Sequence, residues 1–176
     1  MSVQERNSLY ISTWSKEGVM GQGGNFSPSS GAWFAAQRAL YYPVRVPMPG
    51  TVYKLFWLNG ATVGTDTVQA GLYLPDGTDG GPSTRVINGT GAVSSGTNAC
   101  QYDDITDFPI APGWYWFALL SSGTTTTVFR GNYANLGRGA GIYMQSSLAT
   151  LPNPAVPIAS TTGVYAVCGL VMRSAP

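Results

Sequence analysis

Between Arg45 and Arg130, short apolar-rich runs alternate with turns built from Gly, Pro, Asn and Asp. Within several runs the apolar residues recur at every second position. Successive side chains of a strand point to opposite faces, so a period of two marks a strand with one face in a core. Thr67 to Leu74 puts Val68, Ala70, Leu72 and Leu74 on one face, and Trp114 to Leu120 does the same with Trp114, Trp116, Ala118 and Leu120. In Thr51 to Leu58, Tyr53, Leu55 and Trp57 share one face, while Val52, Phe56 and Leu58 share the other with Lys54. Asn59-Gly60, Pro75-Asp76-Gly77, Pro112-Gly113 and Ser121-Ser122-Gly123 close the runs, as turn residues do between antiparallel strands. Many short strands with frequent turn signals predict an all-β chain, an antiparallel β-sandwich or jelly roll.

The remaining strands follow the same logic. Ala39 to Val46 reads as the first strand, with Pro43 assigning it towards a sheet edge. Thr84 to Asn88, Gly91 to Ser94 and Gln101 to Phe108 read as short strands, with Pro109 ending the last of them. Thr124 to Arg130 follows. Gly163 to Arg173 reads as a final strand inside a sheet, and the Pro-rich stretch from Leu136 to Pro157 as loop. At 176 residues the chain suffices for one well-buried core. The expected organisation is an extended N-terminal arm, residues 1–38, and a β-sandwich domain, residues 39–176. The arm has glycine and serine around Met20 to Gly31, yet carries Tyr10, Trp14, Phe26, Trp33 and Phe34, more aromatics than a disordered tail holds. It either folds back on its own sandwich or reaches a neighbouring subunit. The second reading is favoured and makes those five aromatics candidate inter-subunit contacts. Deleting residues 1 to 30 is then expected to leave the sandwich folded.

Composition narrows the function. Only 10% of residues are charged and the net charge is +1, with the nine basic residues scattered. A nucleic-acid partner is not expected, since it calls for a clustered basic face. So few charges suit either a stable sandwich with a Ser, Thr, Asn and Gly surface or a subunit packed into an assembly. No apolar run is long enough to span a bilayer as a helix, and Met1 to Arg6 lacks the apolar segment of a secretory signal. Cys100 and Cys168 are the only cysteines and histidine is absent. Two reduced, mostly buried thiols are expected, Cys168 on a core face with Val164, Ala166, Leu170 and Met172.

Without histidine, Ser-His-Asp, Cys-His and His-ligated metal sites are excluded. Lys54 lies mid-strand, where a snorkelling lysine outweighs a catalytic base. Asp103, Asp104 and Asp107 form the only dense acidic cluster, and Asp76 and Asp79 share a turn. Either loop offers oxygens for calcium, but neither has EF-hand spacing, so no metal and no cofactor is expected. Trp114, Tyr115 and Trp116, or Tyr41 and Tyr42, offer a sugar-stacking platform, against which the alternation argues that they are core.

Pro43-x-Arg45-Val46-Pro47, Thr51 to Trp57, Gly71-Leu72-Tyr73, Pro75-Asp76-Gly77 and Pro112-Gly113-Trp114-Tyr115-Trp116-Phe117-Ala118-Leu119 together resemble the jelly-roll-like β-sandwich domains of tailed-bacteriophage virion proteins. The resemblance spans Tyr41 to Gly131 and carries no catalytic residues. It implies a non-enzymatic structural subunit located in the virion and assembled in the host cytoplasm, most simply a capsid decoration or minor capsid protein. The implied partners are the major capsid protein or other virion subunits, with a homo-oligomer, a trimer by preference, and no membrane. The alternative is a tail- or fibre-associated module that binds a receptor or carbohydrate.

Overall fold

A computed structural model describes residues 8–13, 28–132, 141–160 and 164–174. Among these residues the elements are strands and one short 3-10 turn at Thr78–Gly80. All strand pairings are antiparallel. The strands are β1 (Ser8–Ser12), β2 (Ser29–Ala32), β3 (Arg38–Val46), β4 (Gly50–Leu58), β5 (Thr67–Tyr73), β6 (Arg85–Asn88) and β7 (Ala92–Val93), then β8 (Cys100–Ile110), β9 (Gly113–Ser121), β10 (Thr127–Asn132), β11 (Tyr143–Gln145), β12 (Ile158–Ala159), β13 (Val164–Ala166) and β14 (Cys168–Ser174).

One layer of the sandwich is a four-stranded sheet in the order β1-β14-β4-β8, continued by a three-stranded sheet, β13-β10-β2. The final strand of the sequence reading is in fact two. Its first half, β13, pairs with β10, and its second half, β14, pairs with β4 and β1. At the junction, the Leu58 amide donates to the Val167 carbonyl and the Val167 amide to the Phe129 carbonyl. The second layer is β12-β11-β3-β9-β5-β6, with β7 on β5. Between the layers lies the main core, which includes Val52, Leu55, Trp57, Leu170 and Met172 from one side and Leu40, Tyr42, Leu72, Phe117 and Leu119 from the other. Cys168 is a free thiol within it, and burial raises its pKa well above the ordinary thiol value. Cys100 is also free and lies exposed on β8.

Three local expectations change. Pro43 lies in β3, a strand flanked by β9 and β11, not at a sheet edge. The strand tolerates it because β11 pairs only with Ala39, Leu40 and Tyr41, two residues short of the proline. Pro109 does not end β8, which continues to Ile110; β8 is the edge strand, where a missing N–H costs no ladder bond on the open side. In β4, the pairing to both β8 and β14 shifts register around Tyr53. This bulge turns Val52 onto the same buried side as Leu55 and Trp57, so Tyr53 leaves the face the alternation gave it.

Of the expected arm, residues 8–13 and 28–38 are described, and they follow the fold-back reading. β1 pairs residue for residue with β14, and β2 pairs with β10. Ile11 is buried, and Thr13 donates its hydroxyl to the Ala166 carbonyl at 2.8 Å. Trp33 is 2% exposed and its indole N–H donates to the Arg38 carbonyl.

Candidate functional site: two exposed aromatic faces

A two-layer sandwich has two outer sheet faces, and both carry aromatics here. On the four-stranded sheet, cross-strand neighbours share a face. Tyr10, Val171, Lys54 and Asp104 make one row, and Ser12, Gly169, Phe56 and Tyr102 the next. Tyr10 remains 55% exposed and Tyr102 38%. The Tyr10 ring packs edge-on against Phe56 at 5.8 Å between centroids, and its hydroxyl lies 3.3 Å from that of Tyr102. That contact, with a second one from Cys100, raises the Tyr102 phenol well above its ordinary pKa. Lys54 sits 5.4 Å from the Tyr102 ring centroid and 3.2 Å from the Asp104 carboxylate. Arg173 lies 4.3 Å over the Tyr53 ring and pairs with Asp107 at 3.4 Å. Surface ion pairs contribute little to stability, roughly 0 to 1 kcal/mol. What they do here is hold cations flat against tyrosine rings, which leaves a polar rim around an aromatic centre.

The opposite outer face belongs to β3, β9 and β5. Pro43, Trp116 and Tyr73 form one row, Arg45 and Trp114 the row beyond it. A strap, residues 148–157, covers the far end of this face with Leu148, Leu151 and Ala155, forming a second small core with Tyr41, Tyr73, Ala118 and Leu120. The strap is held by polar bonds: Gln69 accepts from the Leu151 amide, the Tyr73 hydroxyl donates to the Pro152 carbonyl, and the Ala155 amide donates to Ser83. Arg85 also donates to the Leu151 carbonyl. Where the strap ends, Trp114 is left 49% exposed. Trp116 is half-buried, edge-on to Tyr143 at 5.1 Å, with its indole N–H on the Gly80 carbonyl. The alternation that predicted a core face was therefore right for Ala118 and Leu120 and wrong for Trp114, because the strap is shorter than the strand it covers.

Beside Trp116 opens a cleft of about 590 Å³ between the Asp76 to Ser83 loop and the strap, with Tyr143 in its lining. Asp76 accepts from both the amide and the hydroxyl of Thr84, which lowers its pKa. No three His, Cys, Asp or Glu residues come together among the described residues. Asp103 and Asp104 are neighbours on a strand and point to opposite faces: Asp103 is buried on Thr90 and the Gly91 amide, while Asp104 faces Lys54. No family model matches the chain, and no curated protein is similar to it.

Of the five expected contact residues, Tyr10 stands on an open surface. Trp33 is corrected: enclosed in its own core, it has no face to offer a neighbour. Phe34 is half-buried against that core under the Arg38 guanidinium, 5.1 Å from its ring centroid. Trp14 and Phe26 lie outside the described residues. Tyr41 and Tyr42, offered as a sugar platform, are fully buried. Sequence reasoning missed Tyr102 and Tyr143. The available signal for Tyr102 was its place in a polar run, Gln101-Tyr102-Asp103-Asp104, where an aromatic lacks apolar partners along its own strand.

Proposed function

We propose that the chain is a non-enzymatic structural subunit of a tailed-phage virion, a capsid decoration or minor capsid protein that packs on neighbouring subunits and stabilises the particle. The observation that carries this reading is the outer face of the four-stranded sheet. Tyr10 and Tyr102 stand together there, ringed by Lys54, Arg173 and their carboxylates. Tyrosine brings large contact area at small conformational cost, and interfaces take their binding energy from such anchors inside a polar rim. The partner is the major capsid protein, another virion subunit or a further copy of this chain, with a trimer as the preferred closed assembly. The resemblance of Tyr41 to Gly131 to phage virion sandwiches supports the same reading.

The test is the mass of the purified chain by light scattering after size exclusion, together with cosedimentation on phage heads. The double variant Tyr10→Ser, Tyr102→Ser is run alongside. A discrete oligomer or head-bound protein that the variant loses supports packing through this face. A wild-type monomer that stays off the heads sinks the reading.

A further inference from the structure

The cleft beside Trp116 is independent of the packing face, since it belongs to the other layer of the sandwich. Its size, about 590 Å³, falls within the range of small-ligand sites, roughly 300 to 1,000 Å³. Both walls are fixed by hydrogen bonds. In the loop, the Gly77 amide donates to Gly81, Gly80 to Gly77 and Gly81 to Thr78. In the strap, the Ala155 amide donates to Ser83 and the Val156 amide to Gln145 Oε1. Trp116 links the loop to β11 by donating to Gly80 while its ring meets Tyr143. An added Cβ at Gly81 would sit 3.3 Å from the Tyr143 ring, so glycine at this position leaves the tyrosine room beside the loop. Fixed walls lower the ordering cost of binding.

The lining decides the ligand class. It includes hydroxyls from Thr78 and Ser83, the Asp79 carboxylate, the Tyr143 ring and the apolar surfaces of Val156 and Pro157, with no lysine or arginine. An anionic ligand would meet two carboxylates and no cation. A purely apolar ligand would strand those carboxylates and hydroxyls away from water. Asp79, held at φ 53° on the loop, makes no hydrogen bond or ion pair among the described residues, unlike Asp76 beside it. Free acceptors beside an aromatic ring suit a ligand with many hydroxyls and a flat C–H face, which stacks on the ring while its hydroxyls donate outward.

We propose that this cleft binds a neutral saccharide, with Tyr143 as the stacking residue and Asp79, Thr78 and Ser83 as hydrogen-bonding groups. The experiment is calorimetric titration of the full chain with neutral oligosaccharides of glucose, galactose, mannose and N-acetylglucosamine. A sialylated and a uronic-acid oligosaccharide are run beside them, each with and without EDTA. Two variants test the place. Asp79→Asn keeps a residue that tolerates the left-handed backbone and removes the charge. Val156→Trp, at a position 75% exposed, narrows the cleft without touching the core. The expected result is saturable binding of at least one neutral oligosaccharide, indifferent to EDTA and weakened about tenfold or more by each variant, with unchanged thermal midpoints. Four results overturn the proposal: no neutral oligosaccharide binds, acidic ones bind better, EDTA abolishes binding, or both variants bind like the parent. None of them bears on the mass and cosedimentation results that test the packing face.

Discussion

At the scale of single residues, burial places two tryptophans the opposite way round from the sequence reading. Trp33 is 2% exposed with its indole N–H bonded, and Trp114 is 49% exposed at the end of β9. Trp33→Ala should cost about 3 to 5 kcal/mol of stability through the cavity it leaves, and Trp114→Ala should cost less than about 1 kcal/mol. Chemical denaturation of the two variants checks this, and equal losses would show that the surface of β9 is covered after all. The sequence misplaced both for the same reason. Periodicity reports which residues share a face of a strand, but not what lies over that face. Trp33 sits in a segment with no period, and its burial depends on β2 meeting β10, strands joined across 97 residues by the side-chain hydrogen bond from Ser30 to Thr127. Val52 shows the complementary failure. A single-residue bulge at Tyr53 reverses the phase of the alternation, and nothing in Thr51-Val52-Tyr53-Lys54 announces it.

At the scale of elements, β5 and β9 were legible because turn residues bound them and their apolar residues alternate. The strap and β1 were not legible, because both are held by contacts to distant strands. β1 depends on a close approach. At Gly169 an added Cβ would lie 2.0 Å from the Ile11 carbonyl oxygen, a clash with backbone that no rotamer relieves. Gly169→Ala should therefore force β1 away from β14, and hydrogen exchange should show protection lost at Leu9 and Ile11 while β9 and β5 keep theirs. Retained protection at Leu9 would mean that β14 yields instead. The same pairing revises the truncation expectation. Removing residues 1 to 30 takes away all of β1 and half of β2, and with them Ile11 and the Thr13 bonds to Ala166 and Cys168. The shortened chain should unfold at lower denaturant concentration than the full one.

At the scale of the whole molecule, both cores contain tyrosines whose neutral form the fold requires. Burial raises the pKa of Tyr73 from 10.0 to about 12, and it pushes Tyr41 and Tyr42 well above their ordinary values too. A phenol whose folded pKa is raised contributes stability that is complete below its unfolded value and is lost as pH rises through its folded one. For Tyr73 the window runs from pH 10 to about 12, and the loss approaches about 3 kcal/mol at its upper end. Phenolate absorbance and circular dichroism, followed together on raising the pH, should show Tyr41, Tyr42 and Tyr73 ionising with loss of structure, not before it. The strand pairing has another consequence, for synthesis. β1 lies against β14, and β13 and β14 stitch the two sheets of one layer together at Val167. A ribosome must therefore release nearly every strand before the earliest one has a partner. Until then β1 is a loose edge, and the half-built layer exposes Leu55 and Trp57 to whatever is nearby. A nonsense mutation after Val164 would deprive the protein not of a tail but of the seam that closes it.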